Sequence, residues 1–193
     1  MGPERDLTPE QVGEIRERRL EQVARALPLD GLVVSDLPDG GLVRRNLDEV
    51  ARVVGAVLDA FRPQVLIGHD PRGVNAHPDH IATHWALRHA LLERPGVRFA
   101  MVAYPPSTVE AVKPRLLFAT PEDEIDAVVH LSGPEIDAKE EALGIHEAFV
   151  TLREGSDSDK LYRPPIERYE FLGEPVQGTV EDVFAGIRTG PAA

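Results

Sequence analysis

A short apolar run, Gln64-Val65-Leu66-Ile67-Gly68, sits between two stretches of helical periodicity, and this alternation constrains the fold more than any other feature of the chain. Before it, Leu47, Val50, Val53, Val54, Val57, Leu58 and Phe61 recur at the spacing of one helix face, and Asn46 with Glu49 predicts where that helix starts. After it, a Gly/Asn-rich loop, His69 to Ala76, leads into a helix over about Pro78 to Leu92, stopped by Arg94-Pro95-Gly96. Val97 to Ala103 reads as the next strand. Upstream, Thr8-Pro9-Glu10-Gln11 starts a first helix with a capping box and an apolar face of Val12, Ile15, Leu20, Val23 and Leu27. Gly31 to Val34 then reads as a buried strand and Pro38 to Gly41 as a turn. Downstream, strands are expected at Leu116 to Phe118, Ala127 to Val129 and Arg168 to Leu172. Helices are expected at Pro134 to Phe149 and Val180 to Ile187. Strands alternating with helices predict an α/β fold, a mostly parallel sheet flanked by helices, in a single domain spanning residues 1–193.

Such sheets place ligands at the carboxyl ends of their strands. The loop after Val65-Leu66-Ile67 is such a place, and it carries His77-Pro78-Asp79-His80. Two imidazoles three residues apart at a helix start can share one face, and a carboxylate between them can orient a ring. The set suits a divalent metal site beside a polarising or proton-transferring histidine. Asp70, Gly73 and Asn75 can shape the pocket. The same residues equally suit a polar helix cap with solvated rings, and both readings stand at this point. His84 follows His80 by four residues, but Ile81 occupies the position of the glutamate in a zincin motif, so His84 and His89 read as ordinary helix residues. His69 reads as a supporting or exposed residue and His130 as a core or edge one. His146 shares a helix face with Lys139 and reads as solvated.

The formal charge of −12 argues against nucleic acid or an anionic membrane as partner. The absence of cysteine excludes disulfides, thiolate zinc sites and cysteine nucleophiles. No run is long enough to span a membrane, and the polar start lacks a signal-peptide core, so a cytoplasmic location is expected.

The order of several motifs resembles the PIG-L/LmbE-like zinc-dependent N-deacetylases. These are Arg18-x-x-Glu21; Leu37-Pro38-Asp39-Gly40-Gly41-Leu42; Arg62-Pro63-Gln64-Val65 leading to Asp70-Pro71-x-Gly73; His77-Pro78-Asp79-His80; and Lys139-x-x-Ala142-x-x-x-His146. The resemblance covers about Gln11 to Phe171. It implies a Rossmann-like α/β domain in which zinc activates water against an N-acyl group, with N-acetylglucosaminyl compounds or related small amides as substrates. It implies His80 as the metal ligand, His77 as the group that polarises the scissile carbonyl, and Asp79 as its orienting partner. Arg18, Asp39 and Asp70 would lie near the substrate or support the loops, and His146 would approach the site from a later helix. The family also has an Ala-His-Pro-Asp-Asp-Glu type motif after its first strand, supplying two further ligands and the general base. Nothing in these 193 residues matches it. The expectation is therefore a chain without the first strands of that fold, binding zinc weakly or not at all. The alternative is a non-catalytic relict that binds carbohydrate or another partner. Assembly into a homo-oligomer is compatible with either.

Overall fold

The computed structural model describes residues 7–112, 116–147, 164–174, 176 and 178–187, without the side chains of 146 and 147. The chain divides into two compact units, one of residues 1–34 and 131–165, the other of residues 35–130 and 166–193. Among the described residues, no helix is long and apolar enough to cross a membrane.

The first unit holds α1 (Pro9–Ala26). Its start is the expected capping box. Gln11 N–H donates to the Thr8 hydroxyl, and Thr8 N–H donates to Gln11 Oε1 at 2.9 Å. The helix buries no residue fully. Val12, Ile15 and Val23 are half-buried, whereas Leu20 and Leu27 are exposed. Gly31 to Val34 is not a strand: among the described residues no strand pairs with it, and Leu32, Val33 and Val34 are exposed.

The second unit is built on a strand–helix–strand crossover. Asn46 caps α2 (Leu47–Phe61) by accepting from Asp48 N–H. The helix ends at Arg62, in left-handed conformation with φ 46°, ahead of Pro63. There follow β1 (Val65–Gly68), the single turn α3 (Gly73–Ala76), α4 (Pro78–Leu91) and β2 (Arg98–Val102). Strands β1 and β2 pair in parallel, Val65 opposite Arg98 and Gly68 opposite Met101. After α5 (Pro106–Ala111) comes β3 (Ala127–His130). Next is α6 (Gly133–Glu147), which packs on α1 in the first unit; then β4 (Ile166–Phe171) returns to the second. The sheet order is β1-β2-β4-β3. Strand β4 runs antiparallel to both neighbours, so β1, β2 and β3 share one direction within a mixed sheet; the α/β class is as expected.

Helices cover one face of that sheet. Val50, Ala51 and Leu58 of α2 meet Ala86 and Ala90 of α4, while Leu87 of α4 packs on Phe99 and Met101 of β2. Gly68 lets α4 lie this close, since a Cβ there would sit 2.6 Å from Leu87 Cδ1. The opposite face packs Ala100, Ala127, Tyr169 and Phe171 against Val176, Val180 and Val183. Two expected elements are replaced by irregular chain. Residues 116–118 turn their backbone toward the loop after β1 instead of joining the sheet, with Phe118 N–H donating to Val74 O at 2.9 Å. Val180 to Ile187 forms turns rather than a helix, because Val180 is held in a parallel bridge to Ala127. Phe149, the expected end of the helix over 134–149, lies outside the described residues.

Arg98 anchors this C-terminal stretch. Its buried guanidinium makes two bonds to Glu174, at 2.9 and 2.6 Å, and two more to the carbonyls of Val183 and Ala185, above the Phe171 ring. The Arg98 side chain is 2% exposed and that of Glu174 is 44% exposed. Removing the acid therefore strands a buried cation, whereas removing the cation leaves a carboxylate that water can reach. Urea denaturation should accordingly show Glu174→Ala costing more than Arg98→Met, with the former at about 2–4 kcal/mol. The reverse order would refute this account of the anchor.

Candidate functional site

The loop at the carboxyl end of β1 is organised around one carboxylate. Asp70 is 3% exposed. Its Oδ1 accepts Val74 N–H at 2.6 Å, its Oδ2 accepts Arg72 Nε–H at 2.7 Å, and its carbonyl accepts Gly73 N–H. Arg72 reaches on to the Ala119 carbonyl at 3.0 Å and lies over the Phe118 ring. Within this bracing the backbone turns sharply: Gly73, Val74 and Ala76 all have positive φ, 65°, 65° and 61°. Val74, with ψ −52°, is in the strained geometry of a tight three-residue turn, rarely tolerated by a β-branched residue. Gly73 also has no room for a side chain. A Cβ there would meet the Ile81 side chain at 2.8 Å and its main-chain nitrogen at 2.9 Å.

The loop delivers two histidines in complementary states. His77 caps α4, its Nδ1 accepting Asp79 N–H at 3.2 Å. An accepting Nδ1 carries no proton, so the neutral His77 ring presents Nε2–H as a donor. His80 Nδ1 lies 3.1 Å from the Gly73 carbonyl. A carbonyl can only accept, so His80 carries a proton on Nδ1, and in its neutral form it presents Nε2 as a bare lone pair. The rings of His77 and His80 stack with centroids 4.5 Å apart, and His69 stacks on His80 at 4.1 Å and 15°. His77 is exposed, and His80 and His69 are half-buried. Burial, followed by the neighbouring His80, holds the His69 pKa below its ordinary value.

Asp79 is positioned differently from the sequence reading. Its carboxylate does not orient His77; Oδ1 accepts Leu42 N–H at 3.0 Å, and the contact with His77 runs through the Asp79 main chain. The bond ties the turn carrying Asp39 to the start of α4, so the Leu37 to Leu42 motif and the histidine motif are joined by a direct hydrogen bond. Asp39 itself is exposed on that turn. Arg18 is exposed on α1, in the other unit. His146 belongs to α6, and its side chain lies outside the described residues. His130 is an exposed residue at the end of β3, and His89 pairs with Asp48 at 3.3 Å. His84 does not form a metal pair with His80. It is completely buried, donates from Nδ1 to the His69 carbonyl at 2.8 Å, and leaves Nε2 without a partner among the described residues. The supporting roles of Arg72, Phe118 and His84 had no signal in the sequence, because each depends on a contact across 15 residues or more or on a ring in the core.

A backbone carbonyl behind Nδ1 is the usual support of a metal-binding histidine, so His80 suits a first ligand. Among the described residues, however, no group of three or more His, Asp or Glu side chains is arranged to hold a metal ion. The described residues therefore do not by themselves fit a catalytic zinc, which needs about three protein ligands and an open position.

Two outcomes follow from this geometry. Gly73→Ala should destabilise the protein by about 1–3 kcal/mol or more, since strain at φ 65° and the contact with Ile81 act together. A denaturation midpoint unchanged from wild type would refute the packing described. The pKa of His84 is also held down, chiefly by burial, below the ordinary 6.5. The unfolded chain then binds more protons than the folded one just below that value, so stability is retained above it and falls as pH drops. The urea midpoint should fall between about pH 7.5 and about pH 5.5, and His84→Asn should flatten that slope.

The chain is similar to several known proteins. Residues 1–91 match the PIG-L family, described as GlcNAc-PI de-N-acetylase. The 1D-myo-inositol 2-acetamido-2-deoxy-alpha-D-glucopyranoside deacetylase of Mycobacterium sp. (strain KMS) is 28% identical over 173 residues, covering 75% of this chain and 56% of that protein. The corresponding deacetylase 2 of Saccharopolyspora erythraea is 29% identical, covering 92% of this chain and 74% of that protein. The chain thus spans little more than half the length of several curated relatives it matches. Among solved structures, the zinc inhibited form of a teicoplanin deacetylase superposes with a TM-score of 0.56 at 15% identity, over 83% of this chain and 74% of that one. The deacetylase of the A40926 pseudoaglycone gives 0.58 at 14% identity, over 89% and 76%. These likenesses show a shared fold. Residues 1–91 are thus similar to the PIG-L family, and the curated relatives that extend further along the chain are named as deacetylases.

Proposed function

We propose that this chain is the histidine-bearing part of a single-domain N-deacetylase, a hydrolase that removes an acetyl group from an N-acetylglucosaminyl or related small amide. The observation that carries the reading is the pair of opposite tautomers at the start of α4. His77 offers Nε2–H, the donor needed at a carbonyl oxygen that gains negative charge as the amide carbon becomes tetrahedral. His80 offers an Nε2 lone pair, backed by the Gly73 carbonyl, in the state a metal ligand requires. The deacetylase names of the curated relatives support the substrate class.

A zinc ion is the cofactor the family resemblance implies, and His80 would be one of its ligands. The rest of the set, with the general base, would come from a His-Pro-Asp-Asp type segment that these 193 residues do not contain. Asp70 acts here as the brace of the loop, and Asp39 would approach the substrate from the turn that the Leu42–Asp79 bond ties to α4. The lone prepared ligand among the described residues favours a second reading, a relict binding protein.

The test compares deacetylation of N-acetylglucosaminyl substrates by the 193-residue chain and by a form extended with that upstream segment, each with added zinc. Hydrolysis is expected in the extended form alone. There, His80→Ala should abolish metal binding. His77→Ala should retain the metal and lower turnover by roughly 10²–10³-fold, the usual loss for one oxyanion donor. Equal activity in both forms would refute the need for the upstream ligands. Absence of hydrolysis in either form, with carbohydrate still bound, would favour the relict.

A further inference from the structure

His84 is wholly buried on α4, yet it carries an unsatisfied nitrogen. Its ring lies edge-on to Trp85 and tilted against Phe99, surroundings that an apolar side chain would fill without a polar atom to satisfy. What the imidazole alone supplies is Nδ1–H, donated to the His69 carbonyl at 2.8 Å. That bond ties the end of β1 to the second turn of α4 at the residue whose own ring stacks on His80. The His80 bond to Gly73, at 3.1 Å, is toward the longer side of the usual range, and its acceptor belongs to the sharply turned loop. By itself it is a weak restraint on rotation of the His80 ring. A ring stacked at 4.1 Å and 15° opposes that rotation, because turning the imidazole would drive its edge into the His69 face.

We propose that His84 is a positioning residue for the site. Through the His69 carbonyl it fixes where the His69 ring stands, and that ring holds His80 in the orientation in which Nδ1 meets Gly73 and Nε2 is presented. The proposal rests on His80 being the working residue of the site. It explains why the core retains an imidazole with one bare nitrogen: the tautomer that donates to His69 leaves Nε2 with a lone pair and no donor in reach.

The test reads the tautomer of His80 from its two imidazole ¹⁵N shifts in the 193-residue chain, at about pH 8, where an ordinary histidine is neutral. Wild type should show one tautomer, protonated on Nδ1. His84→Leu should lose that single signature and give a mixture. His84→Asn should restore it, since its amide stands near the Nδ1 position and can donate to the same carbonyl. If the leucine variant does not fold, His84→Gln takes its place, because its amide reaches past that position, and it should also give a mixture. His69→Ala should produce the same mixture and remove the difference between asparagine and glutamine at position 84. A purely structural role for His84 would lower stability without changing the His80 tautomer. Retention of the wild-type signature in a folded leucine or glutamine variant, or in His69→Ala, would overturn the proposal. Failure of the deacetylase reading would appear as absent hydrolysis and would leave these shifts as they are.

Discussion

The hydrogen bond from Val74 N–H to the Asp70 carboxylate is the interaction on which the rest of the site depends. It is short, charge-assisted and buried, and it holds a backbone that sterics alone would not choose. Three residues out of four in the turn have positive φ, and only the first is glycine. A turn of this kind persists when its surroundings over-determine it. Here they do so from three sides: Asp70 below, Phe118 N–H on the Val74 carbonyl, and the Arg72 guanidinium spanning from Asp70 to Ala119. The result is a carbonyl at Gly73 aimed at His80 and a chain that enters α4 with His77 as its cap.

Two like side chains acquire opposite chemistry from that geometry. His77 and His80 are three residues apart on one helix start, and their rings touch. One meets a main-chain donor and the other a main-chain acceptor, so their protons sit on opposite nitrogens. A donor and a lone pair thus stand side by side on a half-open surface, with no dependence on a charged form of either ring. Buried His84 extends the arrangement into the core at the cost of one unsatisfied nitrogen, about 1–3 kcal/mol by the usual penalty for such a group. The Leu42–Asp79 bond extends it outward to the turn that carries Asp39.

Much of the second unit and the start of α1 were legible in the sequence because their signals are local. Asn46 and Thr8 cap the helices they were expected to cap, and β1, β2 and α4 lie within a residue or two of their expected ends. Leu32-Val33-Val34 and Leu116-Leu117-Phe118 are apolar runs like β1, yet neither is a strand. Strand formation needs a neighbour to pair with, and a run of side chains carries no information about whether one is in reach. The helix expected at Val180 to Ile187 fails for a related reason: the parallel bridge to Ala127 and the bonds to Arg98 claim its backbone first.

The sequence by itself determined the α/β class, the loop at the end of β1, and the residue types that meet there. Apolar periodicity, capping residues and the order of short motifs are properties of neighbours along the chain. Tertiary structure alone decided the roles. Asp70 became a brace, Asp79 a tie to Leu42, and His84 a buried donor to His69, while His77 and His80 took opposite tautomers. Protonation, burial and hydrogen-bond partnership are set by what folding brings within about 3 Å, and contacts between positions as distant as 42 and 79 leave no periodic trace in a chain.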